Sequence, residues 1–296
     1  MAGRKSTGSW PMDGRTVLVT GTTSGIGRTT ATALGQAGAV VLAHARDQTR
    51  AAAVARELKG SGGRFVPVSG DLGSLAGVRG LVEQVLQVTP KGLHVLVNNA
   101  GAAFSQRALA PDGVERTLAV NHLAVAALTS ELLDTLRIGA SATGRPSRVV
   151  NLSSILEKRG NPKLQDWTYP DQYSQLQAYS DSKLVNLAHT YALARELAGS
   201  GVTVNAANPG SVKTAFGHNA GGVLKVVGIV GKAFMASPEK GARTSIRLAS
   251  DPALDDATGG YYSAAELDMS SDASRDPAFG EQVYARTAAI LAQAPR

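Results

Sequence analysis

Three stretches of this sequence hold groups whose types and spacing could do chemistry together. The first is Thr20-Gly21-Thr22-Thr23-Ser24-Gly25-Ile26-Gly27. An apolar, β-branched run, Arg15–Thr20, precedes it, and Ile26, Thr30, Ala33, Leu34 and Ala37 follow at helical spacing. Glycines where a strand becomes a helix suit a dinucleotide. Gly21 permits the tight turn, Gly25 lets backbone approach a pyrophosphate, and Gly27 lets helix and strand pack closely. Thr23, Ser24 and Ile26 complete the turn, and the free N–H groups and dipole of the helix start favour phosphate charge. A plain glycine-rich loop fits the triplet too, but here both flanks are present, which favours the cofactor.

The second stretch lies at later strand ends. The strand Ala39–His44 leads to Arg46, about 20 residues past Gly27, where an acidic side chain would hold a ribose 2′-hydroxyl and arginine suits a 2′-phosphate. NADP is therefore expected over NAD, with Asp47 capping the helix that starts near Thr49. The strand Arg64–Val68 leads to Asp71 and Leu72, where the carboxylate either meets an adenine amino group or caps the next helix. Leu93–Val97 leads to Asn98-Asn99-Ala100-Gly101. The asparagine amides can tie neighbouring loops together, and Ala100 and Gly101 leave room for a cofactor ring or ribose.

The third stretch pairs the strand Ser147–Leu152, ending in Ser153-Ser154, with Tyr179-Ser-Asp-Ser-Lys183 at the start of a helix. Tyr179 and Lys183 are four apart and share a helical face, an arrangement that by itself is common on helix surfaces. The strand Val202–Ala207 runs into Pro209 and Gly210. Val212 and Thr214, within Ser211–Thr214, are in place to touch a nicotinamide amide.

Alternating strands and helices run from Arg15 to about Ser263, which predicts an α/β fold in a single domain, residues 13–296, after a flexible tail, 1–12. Asp112 to about Arg137 reads as one long helix. Inside it Asn121 is either a solvent-facing or a core-bridging amide, and His122 is structural. Trp167, Tyr169 and Tyr173 either wall a substrate pocket or pack a long loop. The apolar stretch Gly221–Ala236, within 211–236, reads as a mobile lid. Ser237-Pro238-Glu239 starts a helix, Gly259–Tyr262 suggests a last strand, and a C-terminal helix covers about Ala278 to Ala292.

Hydrophobic content of 43% and charged content of 18% describe a soluble globule, and the absence of cysteine excludes disulfides and thiolate chemistry. The net charge of +7 is dispersed rather than striped, and aromatics are only 5%, which argues against a nucleic-acid partner. No uncharged apolar run reaches the roughly 20 residues of a spanning helix, and no secretory leader is evident, so a cytoplasmic protein without a membrane anchor is expected. The five histidines lack metal-ligand spacing, so no metal is expected.

Taken together, the Thr20–Gly27 turn, Asn98–Gly101, Ser154 with Tyr179 and Lys183, and Pro209-Gly210 resemble the short-chain dehydrogenase/reductase family over about Asp13 to Ser263. The resemblance implies a Rossmann-type, doubly wound, mostly parallel seven-stranded sheet with helices on both faces, and the site at the strands' carboxyl ends. It implies Asn121, Ser154, Tyr179 and Lys183 as the catalytic set. Ser154 and Tyr179 are 25 positions apart, longer than the simplest family pattern. With Tyr-Ser-Asp-Ser-Lys-Leu and Arg46 this looks like the retinol-dehydrogenase-like branch, although a retinoid substrate does not transfer.

The implied function is an NADP-dependent oxidoreductase acting on a carbonyl or alcohol of a bulky apolar or aromatic small molecule. Tyr179 exchanges the proton, Ser154 holds the substrate oxygen and Asn121 anchors a water that feeds Lys183. Lys183 also bonds the nicotinamide ribose. At about 5 Å and an effective dielectric of about 20, its charge is expected to lower the phenol by about two pKa units. A lyase, epimerase or cyclase using the same Tyr and Lys, and a silent NADP-binding scaffold, are the alternatives. A homodimer or homotetramer through the helices Asp112–Arg137 and Tyr179–Gly199 is also implied.

Overall fold

The computed structural model describes residues 10–169, 173–210 and 237–293. The strands are β1 (Thr16–Val19), β2 (Val40–Ala45), β3 (Arg64–Ser69), β4 (Val95–Asn98), β5 (Ser147–Leu152), β6 (Val202–Asn208), β7 (Tyr261–Ser263) and β8 (Glu266–Asp268). They form one sheet in the order β3-β2-β1-β4-β5-β6-β7-β8. The first seven are parallel, and β8 runs antiparallel to β7. Strand order reverses between β1 and β4, and the crevice beyond the carboxyl ends there is where this architecture binds ligands.

The eighth strand exceeds the seven expected. It folds back through Ala264 and Ala265, both at positive φ (51° and 69°), the backbone of a two-residue hairpin normally filled by Asn or Gly. The Ala265 N–H donates to Thr244 Oγ1 at 2.9 Å, and Arg247 donates to the Ala265 carbonyl, so neighbouring side chains hold a turn that alanine does not favour.

The strands are apolar on both faces because both are covered. Val17, Val19, Val95 and Val97 pack against Leu34, Val54 and Leu58 from α1 (Gly25–Gln36) and α2 (Gln48–Lys59). Leu18, Leu42 and Leu96 face Val78, Leu81 and Val82 of α3 (Leu75–Val88) on the opposite side. The N-terminal boundary differs from expectation. Met12 is 2% exposed and its N–H donates to the Ala37 carbonyl at 2.7 Å, so it closes the core under β1 and belongs to the fold rather than to a tail.

The long helix expected from Asp112 is shorter and broken. It starts as α4 (Arg116–Leu118), because the Glu115 carboxylate accepts from the N–H groups of Thr117 and Leu118. Asp112 caps elsewhere, accepting from the Leu75 N–H at 2.8 Å. A π-helical turn, Ala119–Leu123, carries Asn121, then α5 (Ala124–Glu131) stops at Leu132 before α6 (Leu133–Thr143).

Helix α7 (Gln175–Glu196) is buried along most of its length, and α8 (Pro238–Ser250) packs on α1 across the sheet's other face. After the short α9 (Asp272–Arg275), the C-terminal α10 (Pro277–Gln293) lies along α7. One of the helices implied for a dimer face is thus packed against its own chain. His122 meets Thr287 Oγ1 at 2.8 Å, His189 stacks on Tyr284 with centroids 5.3 Å apart, and Trp167 lies edge-on to His122 at 5.5 Å. Among the described residues no helix is long and apolar enough to cross a membrane.

Burial holds the two histidines neutral, and that of His189 falls from 6.5 to about 4. An unfolded histidine takes up a proton below about pH 6.5, whereas the folded one refuses it until about pH 4. Stability is therefore full above pH 6.5 and is lost as pH falls through that window, by about 3 kcal/mol for His189 alone. Denaturant unfolding across this range should show the slope, and His189→Phe should flatten it; an unaltered slope would contradict the assignment.

Candidate active site

The glycine turn takes the shape its residue types dictate. Gly21 and Gly25 have φ of +72° and +58°. A Cβ on Gly27 would stand 2.2 Å from Asn99 Nδ2 and 2.3 Å from the Gly21 carbonyl oxygen, so only glycine fits where α1 meets the turn. Ser24, at the N-cap of α1, makes no side-chain capping bond, and the first turn carries no acidic residue. By contrast Asp47, Ser74 and Ser237 cap their helices through side chains. The start of α1 is left with N–H groups available to an anion.

The loop after β4 is pinned to this turn. Thr20 Oγ1 accepts from the N–H groups of Asn99 and Ala100, both at 3.0 Å. Asn99 Nδ2 donates to the Thr20 carbonyl at 2.8 Å and the Gly21 carbonyl at 3.3 Å. Asn98 points elsewhere: its amide donates to Thr129 Oγ1 at 3.1 Å and Asn151 Oδ1 at 2.9 Å, beneath the site. Asn99, rather than Asn98, is therefore the asparagine whose side chain lines the crevice.

That crevice is a cavity of about 400 Å³. Its walls are Gly21, Thr23 to Gly27, Asn99 to Phe104, Leu152 to Ser154, Tyr179, Lys183, Pro209 and Gly210. A larger cleft of about 680 Å³ between α1 and α8 includes only Gly25 of the expected site residues. Asp71 accepts from the Gly73 N–H at 2.9 Å, and the N-cap of α3 is Ser74, so Asp71 is not the helix cap. Leu72 is a core residue, and Arg46 is exposed just past β2. Val212, Thr214 and the expected lid lie outside the described residues.

Ser154 stands in extended backbone after β5, its hydroxyl accepting from the Leu156 N–H at 3.2 Å, and it is hydrogen-bonded to the Tyr179 phenol. The Oγ of Ser153 is buried and has no hydrogen-bond partner among the described residues. Lys183 is 3% exposed. Its Nζ donates to the Leu152 carbonyl at 2.8 Å and lies 5.7 Å from the Tyr179 ring centre. Asn121 is a clip: Oδ1 accepts from the Ala102 N–H at 2.8 Å, and Nδ2 donates to the Ala102 carbonyl and Ser182 Oγ, each at 2.9 Å. With both donors and the acceptor engaged, the amide bridges the loop after β4 to α7. A Cβ on Gly101 would come within 3.2 Å of Asn121 Oδ1 and 3.8 Å of Lys183 Nζ.

The electrostatics reverse one expectation. Burial pushes the Tyr179 phenol up to about 12, and the Ser154 hydrogen bond only partly opposes it. Burial also lowers Lys183 to about 8. Burial penalises the charged phenolate, and this is the larger cause at Tyr179. The expected depression of Tyr179 by Lys183 is therefore not found in the chain alone.

Of the two alternatives for the aromatic segment, the described residues show packing. Trp167 is 1% exposed in the core. The Tyr173 hydroxyl donates to the Phe104 carbonyl at 2.8 Å, and Tyr169 donates to Asp181 Oδ2 at 2.8 Å. These rings pack around the segment before α7, and Phe104, under the Arg116 guanidinium at 4.0 Å, is an aromatic ring on the cavity wall beside Tyr179. Among the described residues no cluster suited to a metal occurs.

The model of the family described as "short chain dehydrogenase" matches residues 15–222. Human "Retinol dehydrogenase 14" is 40% identical over 269 residues, covering 85% of this chain and 78% of that one. A solved structure of an uncharacterised protein from Mycobacterium paratuberculosis superposes with a TM-score of 0.77 at 29% identity, covering 98% of this chain and 97% of that one. A putative NAD(P)-dependent gluconate 5-dehydrogenase from Beutenbergia cavernae, with bound NADP, gives 0.66 at 30% identity, covering 86% and 96%.

Gly27→Ala forces the new methyl into Asn99 and Gly21. It should cost about 2–4 kcal/mol of stability and disrupt dinucleotide binding. Thermal melting and cofactor titration check this; unchanged melting and binding would show that the close approach is not required.

Proposed function

The chain belongs to the short-chain dehydrogenase family, in its retinol-dehydrogenase-like branch, and from that premise we propose an NADP(H)-dependent oxidoreductase acting on the carbonyl or alcohol of a bulky apolar small molecule. The observation that carries this is the convergence of the glycine turn, the Ser154–Tyr179 hydrogen bond and buried Lys183 on one cavity at the strand reversal.

The residues present fit a dinucleotide. The uncapped start of α1 and the positive-φ glycines offer a cradle for a pyrophosphate. Arg46 would hold the 2′-phosphate, Asp71 and Leu72 the adenine end, and Asn99, Ala100, Gly101 and Lys183 the nicotinamide ribose. Pro209 and Gly210 would face the nicotinamide, and Val212 and Thr214 its amide. When bound, the nicotinamide supplies or accepts the hydride.

This chain's own residues handle the proton. As the substrate carbonyl becomes an alcohol, its oxygen gains charge and takes a proton from the Tyr179 hydroxyl. Ser154 holds that oxygen beside the phenol. Lys183, at 5.7 Å from the ring centre, stabilises the tyrosinate left behind. Asn121 keeps the Ala102 loop against α7, and so fixes the wall on which Lys183 and Tyr179 stand. The apolar side of the cavity, Ala102, Ala103, Phe104 and Leu152, supports an apolar substrate. The human relative is named for retinol; the apolar class, not that compound, is what is proposed here.

Two experiments test the proposal. Oxidation of NADPH and NADH against a panel of ketones and aldehydes should show turnover, and Tyr179→Phe should lose about 10²–10⁴ of it while still binding cofactor. Near-normal turnover in that variant would overturn the proton role. Arg46→Ala should weaken NADPH by about 1.5–3 kcal/mol and leave NADH nearly unchanged; equal losses would remove the basis for NADP.

A further inference from the structure

His44, near the end of β2, is 3% exposed, and its ring and carbonyl are all engaged at the dinucleotide crevice. Its carbonyl accepts from the Thr22 N–H at 2.9 Å and the Thr22 hydroxyl at 3.0 Å. Nδ1 lies 3.1 Å from the Gly21 N, and Nε2 lies 2.9 Å from the Gly70 carbonyl oxygen. An amide N–H only donates, so Nδ1 must present its lone pair. A carbonyl only accepts, so Nε2 must carry the hydrogen. The partners thus select one neutral tautomer of the imidazole.

The two partners belong to different loops, of which the one with Gly21 lines the crevice. Gly21 opens the turn proposed for the pyrophosphate, and Gly70 immediately precedes Asp71, proposed for the adenine. We propose that His44 is a positioning residue that sets the glycine turn and the β3–α3 loop at the spacing the adenosine half of the cofactor needs, and that it does so only as neutral imidazole. This rests on the dinucleotide reading of that turn. An imidazolium would set an N–H on Nδ1 against the N–H of Gly21, two donors 3.1 Å apart, and the turn would lose its acceptor.

Burial already holds the ring below its ordinary value, opposed by the Gly70 hydrogen bond and the charge of Asp71. Asp71 is the charged group facing the ring from the β3–α3 loop. β1 and the glycine turn carry none before Arg28, which pairs with Glu57 at 2.8 Å, and Arg46 and Asp47 follow just past the end of β2, Asp47 as the cap of α2. With its ring held below the ordinary range, His44 stays the neutral acceptor of the Gly21 N–H at neutral pH, and only acid below that range sets donor against donor there.

The test is NADH and NADPH affinity from about pH 8 to about pH 5.5 for wild type, His44→Asn, His44→Gln and His44→Ala, with melting curves for each. NADH lacks the titrating 2′-phosphate, so it isolates the protein's contribution. Asparagine keeps an acceptor where Nδ1 stands and does not titrate; glutamine keeps a donor where Nε2 stands and loses the acceptor. At the alkaline end asparagine should bind within about threefold of wild type, and glutamine and alanine about tenfold more weakly. Because burial holds the ring below its ordinary value, wild-type NADH affinity should hold through the ordinary histidine range, where asparagine is flat too, and fall only in acid below it.

Alanine binding NADH as tightly as wild type, or asparagine binding as weakly as alanine, overturns the proposal. Should alanine fail to fold, glutamine binding as tightly as wild type overturns it equally. A wild type that binds neither cofactor at any pH overturns the dinucleotide reading along with this inference. Wild-type binding that the glutamine variant matches overturns this inference alone.

Discussion

Tyr179 and Lys183 stand almost wholly buried on the cavity wall, and burial works against the charged form of both. It raises the phenol to about 12 and lowers the ammonium to about 8. Such a pair exists only because the surrounding groups compensate. Leu152 offers its carbonyl to Nζ, Ser154 bonds the phenol, and Ser182 is tied to the Tyr179 carbonyl at 2.7 Å and to the Asn121 amide. These partners come from the end of β5, the first turns of α7 and the π-turn at Asn121. The catalytic geometry therefore depends on the registration of three separate elements rather than on the helix alone.

That registration is maintained from below by a polar ladder through the sheet. Asn98 joins Thr129 to Asn151, Asn151 continues to Thr190 at 3.0 Å, and Thr190 bonds back to its own helix. From the side, Thr20 and Asn99 fasten the glycine turn to the loop after β4. Buried polar groups of this kind stabilise only when their partners are present, so they set a single arrangement of α5, β4, β5 and α7. The apolar layers on either face hold the fold together, and the polar groups decide how its carboxyl edge is arranged.

Much of this was legible in the chain. Strands buried on both faces announce themselves as apolar runs, and the glycine turn has flanks that leave it few other uses. The Asp47 and Ser237 caps and the strand Ser147–Leu152 follow from local chemistry alone. What escaped depends on contacts distant in sequence. Asn98 and Asn99 are adjacent, and only strand pleating sends one beneath the sheet and the other into the crevice. His44 sits in an apolar strand and gives no hint that Gly21 and Gly70 meet there. The Ala264–Ala265 turn lacks the usual residues because Thr244 and Arg247, on α8, hold it instead. The break at Leu132 and the π-turn have no marker that helical periodicity would register. The phenol's shift was misjudged because a charge four residues away is visible in sequence, whereas the loss of water is not.

The central claim is that Tyr179 exchanges the proton, and that the dry wall keeps it un-ionised until an oxidised, positively charged cofactor joins Lys183 beside it. Carbon-labelled tyrosine NMR, with the Tyr179 resonance assigned by its loss in Tyr179→Phe, reads this directly. In the chain alone the resonance should stay that of a neutral phenol until pH approaches about 12. With NADP⁺ bound, the midpoint should fall by about two units or more. A phenol that already titrates near neutrality without cofactor, or one whose midpoint NADP⁺ leaves unmoved, would contradict the account.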